Sequence, residues 1–132
     1  MTKVFQIPYP QTDAGKKQWA RQYGTNAYWT GKHWAKRRQD AEYWHQITRC
    51  AMHEASGQPF ENPVVISFYW NDRLDLDNHS MMAKMIIDAM KGSLLHDDSK
   101  RWVKSITHHW HDEETIRVVV TDDTGGRKGD GP

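Results

Sequence analysis

The chain has 132 residues, a hydrophobic fraction of 37%, a formal net charge of +1 and one cysteine. This length predicts a single domain, and the seven Trp, five Tyr and three Phe exclude a wholly disordered chain. No apolar run approaches the ~20 residues that a bilayer crossing requires, and a lone cysteine excludes an internal disulfide. The first ten residues lack the apolar segment of a secretory signal, so a cytoplasmic protein is expected.

The first half of the chain is predicted to hold a strand, a loop and a long helix. Residues 3–9 form a short strand that ends at prolines. Residues 11–33 contain three glycines among basic and aromatic residues, which indicates a surface loop, or a loop interrupted by a short helix. From Trp34 to about Ala55 the spacing is helical, and one broad apolar stripe is made of Trp34, Ala41, Trp44, Ile47, Ala51 and Ala55.

The second half is predicted to form a strand, a helix and two further strands. Residues 64–70 (VVISFYW) form a buried strand, and a helix then runs from Asp77 or Asn78 to Lys91. Residues 102–110 and 115–121 form the two strands of a hairpin. The expected fold is α+β, or mixed α/β, with two main helices packed on a single mixed sheet. It occupies residues 1–121, and residues 122–132 form a flexible Gly-rich tail.

Charge is unevenly distributed along the chain. Eight basic residues lie between Lys16 and Arg49 against two acidic ones, whereas six aspartates lie between Asp72 and Asp98 against three basic residues. A basic block followed by an acidic block indicates a polyanion-binding surface beside a cation site. The alternative is that both blocks are solvated faces.

The segment DLDN (residues 75–78) lies where the buried strand gives way to the helix. On an extended chain the carboxylates of Asp75 and Asp77 project to the same side, so both can face one cation. Hard oxygen ligands of this kind suit Mg²⁺ or Mn²⁺, and the start of the helix offers backbone N–H groups to a phosphate. The alternative is a polar connection whose aspartate only caps the helix.

Further charged residues follow this segment. At ~100° per residue, Lys84 and Asp88 lie on the same helical face as Asp77, where Lys84 pairs with Asp88 or with an anionic ligand. Asp97 and Asp98 form a second acidic pair after the helix, and a helix that returns along the sheet can place them beside the first pair. Carboxylates crowded in this way repel one another unless a divalent ion neutralises them.

The run DLDNHSMMAKMIIDAMKG, followed by LLHDDS, resembles the signature of the RusA-type Holliday-junction resolvases, small dimeric endonucleases of phage and prophage origin. The family pattern is an acidic strand exit D-x-D-N, a helix with a Lys four residues before an Asp-Ala-Leu/Met, and an acidic turn. The spacing between Asn78 and Lys84 is three residues longer than in the shorter branch of the family and equals that of a longer-spaced branch. The matching positions cover about a quarter of the chain and are Asp75, Asp77, Asn78, Lys84, Asp88 and Asp98.

The resemblance implies a metal-dependent endodeoxyribonuclease that cuts a four-way junction by two symmetric nicks in DNA recombination and repair. Two symmetric cuts imply a homodimer, and no small-molecule cofactor is expected. Lys84 would stabilise developing charge or orient a carboxylate, and Asn78 would fix the acids or contact the phosphate. Asp97 is the alternative to Asp98 as a ligand. The implied ligands of Mg²⁺, or of Mn²⁺ as a substitute, are Asp75, Asp77 and Asp98.

On this interpretation the basic block contacts DNA phosphates, which makes the affinity depend on salt. The residues concerned are Lys16, Lys17, Arg21, Lys32, Lys36, Arg37 and Arg38. Aromatic residues interleaved with them can stack on unpaired bases at a branch point. These are Trp19, Tyr23, Tyr28, Trp29 and Trp34, of which Trp34 is expected in the core because it lies on the apolar stripe.

Two other functions stay open. The first is a non-catalytic protein that binds branched DNA, in which the acids are structural. The second is a nuclease that acts on forks or flaps.

Neighbouring His108 and His109 point to opposite faces of their predicted strand, so they do not share a metal ion. Cys50 is expected to be a small buried thiol.

Overall fold

A computed structural model of the protein describes residues 1–55 and 57–122. The elements, in chain order, are β1 (Thr2–Pro8), α1 (Asp13–Tyr23), α2 (Thr25–Trp29), α3 (Trp34–Met52), β2 (Val64–Trp70), α4 (Ser80–Met90), β3 (Val103–Trp110) and β4 (Thr115–Asp122). One short 3₁₀ turn, His53–Ala55, follows α3, and another, Leu76–His79, precedes α4. None of the described helices combines the length and apolar character that a bilayer crossing requires.

The four strands form one mixed sheet in the order β1-β4-β2-β3. β4 pairs antiparallel with both β1 and β2, whereas β2 and β3 are parallel. Alternate residues of β2, from Val64 to Trp70, are buried, and the residues between them are half-buried. Helices therefore cover one face of the sheet, with α3 packed against both α4 and β1. The predicted α+β fold with a single mixed sheet is confirmed.

The predicted hairpin of the last two strands is wrong, because β2 lies between β3 and β4. The backbone N–H of His111 donates to the carbonyl of Trp70 at 3.1 Å, so the connection 111–114 crosses the end of β2. Four extended residues reach ~13 Å, which is enough to span two strand spacings of ~4.8 Å. The apolar β2 thereby gains a partner on each side.

Residues 11–33, predicted as a loop or as a loop interrupted by a short helix, contain two helices, α1 and α2. The Thr12 hydroxyl caps α1 by accepting a hydrogen bond from the backbone N–H of Gly15 at 3.0 Å. Trp19 and Tyr23, four residues apart, are both buried on the core side of α1. Burial of these rings outweighs the weak helix propensity of the glycine.

The helix predicted from Trp34 is confirmed as α3, but Trp34 and Cys50, which were both expected to be buried, are exposed. Trp34 is 68% exposed, whereas Trp44 is only 1% exposed. Ten residues at ~100° each leave these two rings about 80° apart around the helix, so only one of them faces the sheet. Cys50 is likewise exposed.

The helix predicted after the acidic segment is also confirmed, with a later start at Ser80. Its first predicted residues form the 3₁₀ turn instead, and Gly92 with φ +83° follows its end. Asp122, assigned to the tail, is the last residue of β4, where its carboxylate accepts a hydrogen bond from the N-terminal ammonium at 2.9 Å. The rest of the predicted tail lies outside the described residues.

Between the helices and the sheet lies a cluster of aromatic rings. Trp19 packs against Tyr9 at 5.1 Å and against Trp44 at 6.0 Å, measured between ring centroids. Tyr23 meets Trp44 edge-on at 5.3 Å, and Tyr28 is buried on α2. These rings supply much of the buried area that the modest aliphatic content leaves unfilled.

Raising the pH above about 10 is expected to destabilise the protein through these phenols. Burial, followed by the charge of Asp40, raises the pKa of Tyr23 to about 12. Burial and a neighbouring carboxylate also raise the pKa of Tyr9 and of Tyr28. The folded protein therefore keeps phenolic protons that the unfolded chain loses near pH 10, so this stabilisation is complete below about pH 10 and declines as the pH rises towards about 12. Urea unfolding at about pH 8.5, 10 and 11 measures the decline in the free energy of unfolding.

The variant Tyr23→Phe is the control for this effect. It keeps the ring and removes one titrating phenol, so it should lose less stability than the wild type over the same pH range. Ultraviolet absorbance follows the ionisation of the phenols. Ionisation of Tyr9, Tyr23 and Tyr28 near pH 10, in a protein that stays folded, would contradict the prediction.

Candidate active site

The loop that follows β2, residues 71–79, carries the predicted acidic motif, and we call it the acidic loop. Its conformation is fixed from the inside by Asp72. One carboxylate oxygen of Asp72 accepts hydrogen bonds from the Tyr9 hydroxyl at 2.8 Å, and the other accepts from the backbone N–H of Leu74 at 3.0 Å. The Nε2 atom of His79 lies 2.8 Å from the same carboxylate. Asp72 therefore ties both ends of the acidic loop to Tyr9, the residue that follows β1.

His79, the last residue of this loop, is fully buried. Its Nδ1 atom lies 2.9 Å from the Leu76 carbonyl oxygen, while Nε2 faces the Asp72 carboxylate. Both ring nitrogens of His79 therefore lie within hydrogen-bonding distance of oxygen atoms of the same loop. The rings of Trp70 and Trp110 enclose His79 at centroid distances of 4.3 and 5.7 Å. Asp72 and His79, at the base of the loop, are thus paired with each other and shielded from solvent.

The acidic loop and the start of α4 both contact α2, through Asn78 and Ser80 respectively. The side-chain oxygen of Asn78 accepts a hydrogen bond from the backbone N–H of Asn26 at 3.0 Å. The hydroxyls of Thr25 and Ser80 also lie 3.0 Å apart. A Cβ atom at Gly24 would approach the Asn78 amide to 3.2 Å, so a larger residue there would push the loop outwards. The structure therefore places Asn78 as the anchor of α2 against the loop.

Asp75 and Asp77, the two acids of the motif, are both exposed. Asp75 precedes the 3₁₀ turn without forming a side-chain cap. Neither carboxylate has a hydrogen-bond or ion-pair partner among residues 1–55 and 57–122. Both carboxylates are thus open to solvent on a loop that is anchored on both sides. The extended segment from which the sequence predicted that they project to the same side is absent, because Asp77 lies inside the 3₁₀ turn while Asp75 precedes it.

The remaining charged residues of the motif form a row of ion pairs at the other end of α4. Lys84 lies 3.4 Å from the carboxylate of Asp88, and Lys91 lies 3.4 Å from both Asp88 and Asp98. The charges of Asp88 and then Asp98 raise the pKa of Lys91. Lys91 was not among the residues predicted for the site, although its position three residues after Asp88 indicated a pair on one helical face.

The structure does not bring Asp98 to Asp75 and Asp77. The two acids precede the first residue of α4, whereas Asp98 pairs with Lys91 just beyond its last residue. Eleven helical residues at ~1.5 Å each separate these ends by roughly 16 Å. The reason is topological, because β3 is parallel to β2 and its preceding connection starts at the opposite edge of the sheet. In the described part of the chain, no group of three or more His, Cys, Asp or Glu side chains is arranged to hold a metal ion.

A groove of about 330 Å³ runs between α4 and β3, and we call it the α4–β3 groove. Two residues predicted for the site, Lys84 and Asp98, line it together. Asp97 is exposed and does not line this groove. The groove begins at Ser80, beside the acidic loop, so it links the two ends of α4. Its lining is made of Ser80, Ala83, Lys84, Ile87, Asp98, Val103, Ile106 and His108.

His108 contributes the only imidazole of the α4–β3 groove lining. Its Nδ1 atom accepts a hydrogen bond from the Trp70 indole N–H at 3.0 Å. Because an indole only donates, the imidazole hydrogen of neutral His108 lies on Nε2. Burial, followed by the charges of His79 and His109, lowers the pKa of His108 below its ordinary value. His108 is therefore a neutral donor near pH 7, a property that no spacing in the sequence indicated.

The seven basic residues predicted to contact DNA differ in their availability. Lys32 is only 13% exposed and forms an ion pair with the buried Asp40. Arg37 donates to the backbone carbonyls of Tyr28 and Lys32, at 3.1 and 2.9 Å, and so holds the α2–α3 connection. The interpretation of Lys32 as a phosphate contact is therefore corrected to a structural role.

The other five predicted contacts are accessible. Half-buried Lys16 pairs with the exposed Glu114 at 3.0 Å, and Arg38 pairs with Glu42 at 3.5 Å with both side chains exposed. Exposed ion pairs of this kind contribute little and exchange readily for a phosphate. The described residues offer no such partner to Lys17, Arg21 or Lys36. Arg21 and Lys36 line a cavity of about 410 Å³ between α1, α2 and α3.

A comparison with protein-family models finds none that matches the chain, and a comparison with curated proteins finds no match either.

Proposed function

We propose that the protein is a Mg²⁺-dependent endodeoxyribonuclease that resolves four-way DNA junctions by paired nicks, in the cytoplasm of a bacterial host or phage-infected cell. The observation that carries the proposal is the pair of exposed carboxylates of Asp75 and Asp77, which have no hydrogen-bond or ion-pair partner within residues 1–55 and 57–122. They stand on a loop in which Asp72, Asn78 and His79 are all anchored. A fold that fixes this loop through Asp72 and leaves the carboxylates of Asp75 and Asp77 in solvent supports a ligand that carries positive charge.

The donor set fits Mg²⁺, with Mn²⁺ as a substitute. Mg²⁺ is commonly held by one or two carboxylates together with water and substrate phosphates, so Asp75 and Asp77 would hold it. When bound, the ion would lower the pKa of a water molecule and neutralise charge on the phosphate. Asp98, predicted as a third ligand, lies at the far end of the α4–β3 groove and pairs with Lys91.

The groups in the groove can assist phosphodiester hydrolysis directly. Lys84 is exposed and its one ion pair within the described residues is a 3.4 Å contact with Asp88, so its ammonium can also pair with a phosphate oxygen. Neutral His108 offers one N–H donor within the same groove. Both would stabilise negative charge that develops on the phosphate during cleavage.

A resolvase has to cut two strands that are related by a two-fold axis, so the proposal includes a homodimer. β3 is the edge strand nearest the site and pairs with β2 on one side only. It also exposes Ile106 and Trp110. An edge strand with exposed apolar residues provides a surface on which a second copy can pack.

Cleavage of an end-labelled synthetic four-way junction tests the proposal, with a linear duplex, a fork and a flap of the same sequence beside it. We expect paired symmetric nicks in the junction with Mg²⁺ or Mn²⁺, and none with EDTA. Cleavage of the fork or flap in preference to the junction would keep the nuclease and replace its substrate. No cleavage of any of these DNAs with either ion would contradict the nuclease.

The second candidate is a non-catalytic protein that binds branched DNA. It is favoured by the separation of Asp98 from Asp75 and Asp77, which leaves no three-carboxylate group among the described residues. Such a protein would bind the junction equally well with EDTA and with Mg²⁺, and its affinity would fall steeply with salt. Equal binding together with no cleavage would support this function over the first.

A further inference from the structure

Two tryptophans of the α2–α3 region stand in solvent. Trp29 is 86% exposed at the end of α2, and Trp34 is 68% exposed at the start of α3. The other aromatic residues interleaved with the basic block, Trp19, Tyr23 and Tyr28, are all buried. A tryptophan ring buries 150–250 Å² when it packs in a core, so leaving two of them exposed sacrifices apolar burial that a ligand could restore.

The surroundings of these rings are positively charged. Between Gly24 and Gln39 the chain contains no acidic residue, and exposed Lys36 and Arg38 follow Trp34 on α3. Arg37 fixes the connection between the two rings by donating to the Tyr28 carbonyl at 3.1 Å. Exposed aromatic faces among cations, on a fixed backbone, favour a ligand that combines flat bases with negative charge, which is unpaired nucleic acid.

The position of the rings relative to the acidic loop adds a second, independent observation. The start of α2 is bound to that loop through the Asn26–Asn78 hydrogen bond and the Thr25–Ser80 contact, each of 3.0 Å. Trp29 follows Thr25 by four residues, which is roughly 6 Å along the helix. The helix that ends at Trp29 is therefore held directly against the loop that carries Asp75 and Asp77.

We infer that Trp29 and Trp34 form a stacking site for unpaired bases, and that this site makes the protein select DNA with an opened branch point over continuous duplex. The inference rests on the proposed function in that DNA is the substrate. Lys36 and Arg38 hold the backbone on either kind of DNA, whereas the rings engage only bases that have left the stack. The selectivity therefore comes from the two tryptophans and the general affinity from the cations.

Binding in EDTA, where no cleavage takes place, tests this inference with a labelled four-way junction and a linear duplex of the same sequence. Trp29→Ala and Trp34→Ala should each weaken junction binding by about 5- to 100-fold and change duplex binding by less than about twofold. Lys36→Ala is the matched control on α3 and should weaken binding to both DNAs alike. Equal effects of the tryptophan variants on both DNAs, or no effect on the junction, would overturn the stacking site.

A second measurement does not depend on truncating the rings. Junction DNA should quench the tryptophan fluorescence of the wild type, and the double variant Trp29→Phe, Trp34→Phe should lose most of that quenching while retaining junction binding within about fivefold. Undiminished quenching in the double variant would overturn the inference. Cleavage with Mg²⁺ is scored separately, so a wild type that shows the tryptophan effect but never cuts would disprove the nuclease and leave the stacking site standing.

Discussion

Replacing Asp77 by asparagine is expected to reduce Mg²⁺-dependent cleavage of a four-way junction by at least about 100-fold. The change keeps the size of the side chain and removes one of the two exposed charges that would hold the ion. Junction binding in EDTA should stay the same or improve, because a negative charge near the DNA phosphates is lost. Rates of nicking and binding constants, measured on the same junction, separate the two effects.

Asp97→Asn is the matched control for this prediction. Asp97 is an exposed aspartate outside the acidic loop, and its replacement should leave cleavage within about twofold of the wild type. An equal loss in Asp77→Asn and Asp97→Asn would mean that acidic charge in general, and not the acidic loop, supports the reaction. Asp98→Asn then measures how far the site extends, since a loss as large as that of Asp77→Asn would require Asp98 to reach the ion during the reaction.

Asp40→Ala is expected to lower the free energy of unfolding by about 3–5 kcal/mol. Asp40 is buried on α3, where its carboxylate accepts hydrogen bonds from the Tyr28 hydroxyl and the Lys32 ammonium. It also accepts one from the Gln22 side chain at 3.1 Å. Its removal leaves the largely buried charge of Lys32 without a carboxylate, and the hydroxyl of Tyr28 with the weakly accepting Met85 sulfur, 4.0 Å away, in place of that carboxylate. Urea unfolding of the wild type and the variant measures the change.

Two further variants separate the lost ion pair from a general loss of packing. Glu42→Ala removes an exposed acid of the same helix that pairs with Arg38 at 3.5 Å, and should cost no more than about 1 kcal/mol. Adding Lys32→Met to Asp40→Ala removes the stranded charge and should recover part of the lost stability. A double variant that is less stable than Asp40→Ala would show that Lys32 stabilises the fold independently of Asp40.

In the acidic motif, the sequence predicted the features that depend on neighbouring residues and not the contacts between distant ones. The sequence predicted that Asp75 and Asp77 follow a buried strand and precede a helix, and the structure places them there. It also predicted that Lys84 pairs with Asp88 or with an anionic ligand, and the pair with Asp88, which depends only on helical spacing, is present. The internal anchoring of the loop by Tyr9 was not predictable, because Tyr9 is 63 residues from Asp72 and their contact depends on the sheet.

The identity of most strands and helices was determined by the sequence alone, because hydrophobic periodicity records which face of each segment is buried. β1, α3, β2, α4 and the individual β3 and β4 segments were all predicted in this way. Periodicity does not record which segments become neighbours. The insertion of β2 between β3 and β4, and the resulting distance of Asp98 from the acidic loop, were therefore decided by the tertiary structure.

The same division separates residues that look alike in the sequence. Lys32 and Lys36 are both lysines in one basic block, but only Lys32 meets the buried Asp40. Trp34 and Trp44 both fall on the broad apolar stripe of α3, but only Trp44 reaches the sheet. Composition and spacing determined that this chain carries cations, aromatic rings and paired acids. Long-range packing decided which of them are used to hold the fold and which remain exposed for a ligand, because burial depends on partners that are distant in the chain.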